Sequence, residues 1–305
     1  MDASGAVHTA STKQNTDLFE AARTGVGALG IITSVTLQAM PLWKMRKTSF
    51  AYPLASLLDD LPDLLDQYDR LQWSFEPYTD NATVVVREDV DWDTPIAPSG
   101  LDGGCWSEHQ PTADDCTDVS YKTLTDSLRH YDERQLYTEM EMFIAVEDSV
   151  QAVRDYMKYM ESVKHLHDPS VTLNVMLRYV AADDIMLSPM HGRDTAVISV
   201  IVVGNEAGSG DQGQFRLFAG GLQALCEGHY SARPHWGKIN FAPADGQGWG
   251  EGRQSGGVAP SHVSYAEYLT SVYPRWADYH IVMANMDPRG VFSNTYLRQR
   301  GLVVD

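Results

Sequence analysis

Basic residues are scarce in this sequence. Lysine and arginine together number 23 against 41 aspartates and glutamates, so the 305-residue chain has a formal net charge of -18. An acidic chain repels the phosphates of nucleic acid and of anionic lipid headgroups unless a local basic patch exists. The basic residues are scattered along the chain, and we therefore expect no nucleic-acid partner.

Long apolar runs are also missing. The longest, AVISVIVVG at 196–204, is too short to cross a bilayer and predicts a buried strand instead. The first residues, MDASGAVHTAS, lack the basic segment and apolar core of a signal peptide. These patterns favour an intracellular protein, either cytoplasmic or associated with a membrane surface.

Cysteine is rare. The three residues Cys105, Cys116 and Cys226 are an odd number, which does not make a disulfide framework. A Cys105–Cys116 pair stays open, although free thiols are the ordinary state in a reducing compartment. None of the three has metal-ligand spacing with a histidine pair, so we expect no metal site.

Helical and strand patterns alternate along most of the chain. The strands alternate apolar and polar residues, which is typical of a sheet with one face on helices and the other open. The sequence therefore predicts an α+β fold with a mainly antiparallel sheet and helices on one face. The helix patterns are 15–25, 53–71 (interrupted or restarted at Pro62), 147–166, 211–228 and 264–286 (broken at Pro274); the strand patterns are 31–38, 72–78, 81–89, 137–146, 171–181 and 196–203, and 91–118 predicts a long loop.

Three glycines, Gly25, Gly27 and Gly30, have the spacing of a dinucleotide-binding fingerprint. That fingerprint needs a strand before the glycines and a helix after them, because the pyrophosphate lies on the N-terminus of the helix. Here the predicted helix comes first, which argues against a Rossmann phosphate loop. A turn whose bare backbone approaches a ligand and a plain helix-to-strand connection with a glycine C-cap both remain open.

The segment PHWGK, 234–238, lies between a predicted helix and a glycine-rich loop, where side chains are displayed rather than packed. Lys238 beside an aromatic wall could stabilise a developing anion. A buried tryptophan next to a solvated lysine is the more frequent explanation of such a triplet.

Two other charged positions lie in predicted strands. Arg178 interrupts an apolar strand, so it needs a polar cavity or a partner, for which Asp183 and Asp184 are structural candidates. Glu139 and Glu141 are two residues apart and share one face of their strand. That face is either open to solvent or part of a site.

Five segments carry a family resemblance when they are taken in chain order. They are LFEAARTGVGALGIITSVTLQ, EMEMFIAVEDSV, MLRYVAADDIMLSP, PHWGK and YPRWADYHIVMANMDPRGVFSNTYL. The order resembles the sugar-1,4-lactone oxidases and alditol oxidases of the vanillyl-alcohol-oxidase flavoprotein superfamily. The His-Trp-Gly-Lys box and the Asp-Pro-x-Gly-x-Phe ending are its most specific parts.

The resemblance implies an FAD-dependent enzyme that oxidises a C–OH group of a sugar lactone or polyol by hydride transfer to flavin, with O2 as acceptor. It implies that Lys238 lies near the flavin, that Arg178 binds the substrate oxygens, and that Glu141 holds the acidic strand position of the site. Membrane association is left open, since some members of the family associate with membranes. The implied cofactor-binding residues are Gly27, Gly30, Ile31, Ile32, Thr33, His235 and Lys238.

Two departures from the family pattern limit this carry-over. Many members have a glutamate two residues before the pocket arginine, where this sequence has Met176, and Glu141 or a neighbour is a candidate substitute. Family members also begin with a first FAD subdomain that carries a pyrophosphate-binding glycine loop, which this sequence does not contain. We expect weak FAD binding by the chain alone, and a catalytically inactive sugar-binding module is the alternative function.

The resemblance also implies three regions. Residues 1–43 correspond to a remnant of the second FAD-binding subdomain. Residues 44–270 correspond to the substrate-binding cap, and residues 271–305 to a C-terminal segment that returns to the FAD domain.

Overall fold

The computed structural model describes residues 1–96, 106–107, 110–111, 115–122, 137–203, 212–241 and 264–303. The open question of a Cys105–Cys116 pair lies outside the described residues. Cys226 is a buried free thiol. Among the described residues, no helix has both the length and the apolar character that spanning a bilayer requires.

One antiparallel sheet organises the described part of the chain. Its eight strands follow the order β10-β7-β9-β8-β2-β3-β1-β6, and every neighbouring pair is antiparallel. The predicted fold class is therefore confirmed. The strands are β1 (Trp43–Pro53), β2 (Leu71–Phe75), β3 (Asn81–Val90), β6 (Asp115–Lys122), β7 (Tyr137–Ala145), β8 (Thr172–Val180), β9 (Thr195–Val203) and β10 (Arg233–Pro234), with a separate pair β4 (Trp106–Ser107) and β5 (Gln110–Pro111).

The loop predicted at 91–118 was too long, because β4, β5 and the start of β6 lie inside it. The strand β1 had no prediction. Its polar and basic residues show no apolar alternation in the sequence, and the strand is formed by pairing with β3 on one side and β6 on the other.

Seven α-helices accompany the sheet in the described residues: α1 (Thr16–Arg23), α2 (Leu54–Gln67), α3 (Ser149–Val163), α4 (Gln212–His229), α5 (Tyr265–Val272), α6 (Trp276–Met286) and α7 (Thr295–Gln299). Pro274 separates α5 from α6 as predicted. The predicted interruption at Pro62 was wrong, since α2 runs through it. A proline in a helix interior costs about 3 kcal/mol; burial of the leucines of α2, each contributing about 1.5–3 kcal/mol, offsets that cost.

Helices α2, α3 and α4 cover one face of the sheet. Met140, Met142 and Ile144 of β7 are fully buried in the core that these helices form with the sheet. The intervening residues Glu139 and Glu141 lie on the opposite face, because side chains alternate along a strand. The prediction of a sheet with helices on one face is confirmed, and we call the other side the open face.

A second hydrophobic cluster lies beside the sheet. It combines residues of α1, α5, α6 and α7 with Ala28 and Leu29 of the glycine turn. Tyr279 of α6 donates a hydrogen bond to the Gly25 carbonyl oxygen at 2.8 Å. The glycine turn is therefore fastened to the C-terminal helices. It follows a helix and does not lead into one.

The strand predicted at 31–38 is not formed. Residues 31–42 carry no strand and are exposed, including the apolar side chains of Ile31, Ile32, Val35 and Leu37. A β-branched alternating segment becomes a strand only when a neighbouring strand accepts its backbone hydrogen bonds. No strand among the described residues pairs with this segment, so the pattern alone did not decide the structure.

Gly30 is tied to the start of the chain. The Met1 amino group donates to the Ile31 carbonyl oxygen at 2.8 Å, and the Ile31 N–H donates to the Met1 carbonyl oxygen at 3.0 Å. Gly30 has a φ of +137°, and a Cβ there would lie 2.3 Å from the Met1 oxygen. Only glycine permits both the backbone conformation and this close approach.

We expect Gly30→Ala to lower the free energy of unfolding by about 1–3 kcal/mol, because it adds a clash with backbone to an unfavourable φ. Gly27 provides the control: its φ is +79°, but a Cβ there would meet nothing within 4 Å. Gly27→Ala should cost about 1 kcal/mol. Urea unfolding of both variants measures the difference, and equal losses would contradict the proposed role of the Met1 contact.

Candidate active site

The HWGK box is attached to the edge of β7. After β10 pairs with β7, the N–H of His235 donates to the Glu141 carbonyl oxygen at 3.1 Å and the N–H of Ile239 donates to the Glu139 carbonyl oxygen at 3.3 Å. The four-residue interval from His235 to Ile239 therefore lies opposite the two-residue interval between Glu141 and Glu139 on β7. The extra residues bulge outwards, as in a β-bulge that re-aims a side chain.

A short turn shapes this bulge. The Lys238 N–H donates to the His235 carbonyl oxygen at 3.2 Å, and the Gly237 N–H donates to His235 Nδ1 at 3.0 Å. The bulge directs the Lys238 side chain back over β7, where its Nζ donates to Glu139 Oε2. Lys238 therefore lies against the sheet and does not extend into bulk water.

The Lys238–Glu139 pair is largely withdrawn from solvent, with the Glu139 side chain 9% exposed. Burial raises the pKa of Glu139; Lys238 opposes this effect and the nearby Glu141 adds to it. Burial by itself would lower the pKa of Lys238, but the hydrogen bond and charge of Glu139 raise it above its ordinary value. The ammonium is therefore held charged at the open face.

Arg178 pairs with the second carboxylate. Its Nη2 donates to Glu141 Oε1, and Ser199 Oγ donates to the same oxygen at 3.2 Å. The Glu141 side chain is 2% exposed, whereas that of Arg178 is 43% exposed. The carboxylate is buried while part of the guanidinium remains accessible from the open face, which suits it for binding an oxygen-rich ligand.

The alternative partners for Arg178 were wrong. Asp184 accepts a hydrogen bond from Arg23 at 2.8 Å, and Asp183 accepts one from Ser188 at 2.5 Å. Both aspartates follow the end of β8; Asp183 bonds within the loop, and Asp184 pairs with Arg23 of α1. The partner of Arg178 instead comes from β7, on the far side of β9.

Met176 lies in the same cross-strand row as Glu141. In the sheet register Glu141 faces Ser199 of β9, and Ser199 faces Met176 of β8. Met176 accepts a hydrogen bond at sulfur from Gln72. The acid expected at position 176 is absent, and Glu141 brings a carboxylate to Arg178 from two strands away.

His235 lies beside both pairs. Its Nε2 is 3.8 Å from Glu141 Oε2, and its ring packs against Phe143 with the centroids 5.9 Å apart. Burial, followed by the charges of Lys238 and Arg178, lowers the pKa of His235. The neutral ring accepts at Nδ1 from Gly237, so its proton is on Nε2 and faces Glu141.

Trp236 joins the box to the second cluster. Its Nε1 donates to the Leu187 carbonyl oxygen at 2.8 Å, and its ring lies 5.3 Å from that of Tyr273. Tyr296 Oη donates to the Trp236 carbonyl oxygen at 2.7 Å. The glycine turn contributes Ala28 and Leu29 to the same cluster, so the turn and the box share one hydrophobic support.

The Asp-Pro-x-Gly-x-Phe ending has a structural explanation. Asp287 is buried, and its carboxylate accepts from the N–H groups of Val291 and Phe292, each at 2.7 Å. Gly290 adopts a φ of +65° within the turn. The motif closes the loop between α6 and α7, and α7 presents Tyr296 to the box.

Arg178, Glu141, His235 and Lys238, four of the residues singled out from the sequence, lie together on the open face. The predicted cofactor residues Gly27, Gly30, Ile31, Ile32 and Thr33 lie in the turn and exposed segment described above. Ser199 was missed, because a serine in an apolar strand has no distinctive pattern. The sequence placed Glu139 on the same strand face as Glu141, but its pairing with Lys238 is visible only in the folded structure.

Comparisons with known proteins identify relatives. The family model for D-arabinono-1,4-lactone oxidase matches residues 105–300. The L-gulono-1,4-lactone dehydrogenase of Mycobacterium tuberculosis is 26% identical over 310 residues, which cover 93% of this chain and 63% of that protein. The L-gulonolactone oxidase of Mus musculus is 23% identical over 324 residues, covering 98% of this chain and 66% of that protein.

The fold also matches a solved structure, a solvent-stable cholesterol oxidase, with a TM-score of 0.62. The two sequences are 14% identical, and the match covers 94% of this chain and 65% of that one. The shared architecture is thus independent of close sequence similarity. In each of these comparisons the chain spans less than two thirds of the length of its relative.

We expect Glu141→Gln to lower the free energy of unfolding by about 1–2 kcal/mol, because a buried charge-assisted hydrogen bond is weakened and Arg178 loses its counter-charge. Asp59→Asn is the matched control. Asp59 accepts from Arg154 Nη2 at 2.6 Å; Arg154 is 42% exposed, like Arg178, but Asp59 is 73% exposed.

The control substitution should cost at most about 0.5 kcal/mol, since exposed ion pairs contribute little. Urea unfolding of both variants at neutral pH gives the comparison. Similar costs for the two substitutions would show that burial of Glu141 does not strengthen its pair.

Proposed function

The chain belongs to the D-arabinono-1,4-lactone oxidase family, and we propose that it supplies the substrate-binding part of an FAD-dependent oxidoreductase acting on a sugar-1,4-lactone or alditol. The reaction is oxidation of a C–OH group, with the hydride passing to flavin. The proposed electron acceptor is O2. Because the chain spans 63–66% of the relatives' length, this activity refers to an assembly that includes the first FAD-binding subdomain.

One observation carries the proposal: two cations, Arg178 and Lys238, lie on the same open sheet face, each fixed by a carboxylate of β7. Cations held in a fixed position stabilise a developing negative charge with less reorganisation than solvated ones need. Oxidation of an alcohol develops negative charge on oxygen. The arrangement therefore suits this reaction class.

The residues present also fit a flavin. Gly27 has a left-handed φ and its Cβ position is open, with no atom within 4 Å. Beyond it, the side chains of Ile31 and Ile32 are exposed. Bare backbone and apolar side chains suit the approach of a flat aromatic ring system. Gly27, Gly30, Ile31, Ile32 and Thr33 would hold the cofactor, with His235 and Lys238 near its ring.

When bound, flavin supplies the two-electron acceptor for the hydride. In the proposed site, Arg178 would bind substrate oxygens through the accessible part of its guanidinium and stabilise the negative charge that develops on the oxygen of the oxidised C–OH group. Lys238 stabilises the negative charge that accompanies reduction. Glu141 keeps Arg178 in place from the buried side, and His235 Nε2 lies 3.8 Å from Glu141 Oε2.

The three-region division stays a proposal. Residues 1–43 would belong to the second FAD-binding subdomain, 44–270 to the cap and 271–305 to the returning segment. The shared hydrophobic cluster of the glycine turn and α5 to α7 supports an association of the first and last regions. Membrane association also remains a proposal.

The first test is ligand binding by the chain itself. Titration calorimetry with L-gulono-1,4-lactone and D-arabinono-1,4-lactone should give binding that Arg178→Met weakens about 10-fold or more, because a charge-assisted hydrogen bond contributes about 1.5–3 kcal/mol. Arg154→Met is the control. An unchanged affinity in Arg178→Met would argue against a substrate role for this arginine.

The second test supplies the first FAD-binding subdomain of a lactone oxidase in trans or by fusion and measures flavin absorbance and turnover. Lys238→Met should lower kcat by about 10²–10³-fold, the usual effect of losing one preorganised electrostatic contact, whereas Lys158→Met should not. O2 consumption compared with dye reduction distinguishes the acceptor. Lactone binding without flavin binding or turnover would favour the inactive sugar-binding module.

A further inference from the structure

In the function proposed above Glu139 appears only as the carboxylate that pairs with Lys238, and its attachment to this segment is both a side-chain and a main-chain one. The ammonium of Lys238 donates to Glu139 Oε2, and the backbone on either side is joined by the Ile239 N–H, which donates to the Glu139 carbonyl oxygen at 3.3 Å. Glu139 therefore contacts the box through both its main chain and its side chain. This double attachment motivates a specific role.

We propose that Glu139 is the positioning residue for Lys238: it fixes the ammonium against the open face of the sheet. The inference deepens the proposed function and rests on it, since the purpose of a fixed ammonium there is to meet the charge that develops in the reaction. Glu139 acts through Lys238 and need not touch substrate.

The geometry of the bulge explains why the Lys238 side chain needs a residue that fixes its position. Lys238 projects from a turn closed by one backbone hydrogen bond to His235 at 3.2 Å, and its four-carbon side chain has many rotamers. Immobilising such a side chain has an entropic cost. An ion pair with a buried carboxylate offsets this cost, whereas a solvated lysine would sample positions away from the sheet.

The charged and titratable groups around Glu139 define a pH signature. Lys238 of the box and Glu141 of β7 are the charged groups that act on Glu139 itself. Glu141 is in turn contacted by Arg178 from β8 and faced by His235 from the box. Tyr137, two residues earlier on β7, helps to raise the pKa of Lys238. Burial and Glu141 raise the pKa of Glu139. As pH falls through that raised pKa, Glu139 is neutralised and its hold on Lys238 is lost.

The test measures Lys238 directly in the full chain without cofactor. Lysine labelled with 13C at Cε is followed by NMR as a function of pH, and Lys238→Arg assigns the signal. In the wild type, Lys238 should titrate above the ordinary lysine pKa. Glu139→Gln should abolish this upward shift of the Lys238 pKa, because burial then acts without the compensating carboxylate. Glu139→Asp, which keeps a carboxylate, should retain part of the shift.

Glu161→Gln is the matched control, since Glu161 pairs with Lys164 at 3.3 Å on an exposed helix end; it should leave the Lys238 titration unchanged. Circular dichroism and thermal unfolding establish that each variant is folded. A Lys238 titration that is the same in Glu139→Gln and in wild type would overturn the proposal.

If Glu139→Gln does not fold, the wild-type titration decides. The Lys238 signal should show a second inflection at the acidic pH where 13C-labelled Glu139 titrates, and the absence of that inflection would overturn the positioning role. The proposed function can fail separately. If the Lys238 titration in Glu139→Gln differs from that of the wild type but this variant keeps the wild-type kcat in the reconstituted enzyme, the positioning role stands and the role of Lys238 in the reaction is rejected.

Discussion

The attachment of the box to the edge of β7 is the constraint on which the candidate site depends. Two backbone hydrogen bonds, from His235 and Ile239 to the carbonyl groups of Glu141 and Glu139, fix where the bulge begins and ends. The same two β7 residues supply the carboxylates for the two cations. A one-residue slip of this register would move both carboxylates to the helix-covered face.

The core enforces that register. Between the two glutamates, Met140 is fully buried under the helices, and Met142 follows on the same side. Burying each such side chain contributes about 1.5–3 kcal/mol, whereas placing a carboxylate in that core unpaired would cost several kcal/mol. The apolar and charged residues of β7 therefore specify the same orientation, so the packing that stabilises the fold also sets the charges of the site.

Local patterns predicted much of the fold. Period-two alternation located β7 and β8, and α3 and α4 were visible as long helical patterns. The failures involve partners distant in the chain. Residues 31–38 have a strand-like pattern but no described neighbour, and the Lys238–Glu139 pair joins positions 99 residues apart. Sequence spacing on one strand predicts a shared face, but it does not predict which cation will meet each acid.

The surroundings of Met176 illustrate that Arg178 can draw its carboxylate partner from another strand, since Glu141 of β7 makes the pair. Positions 176, 199 and 141 form one row across β8, β9 and β7, and a row on one face brings side chains within mutual reach. The Ser199 hydroxyl, opposite Glu141 in this row, donates to the same carboxylate oxygen that Arg178 contacts. The counter-charge of Arg178 therefore comes from β7, two strands away, rather than from its own strand.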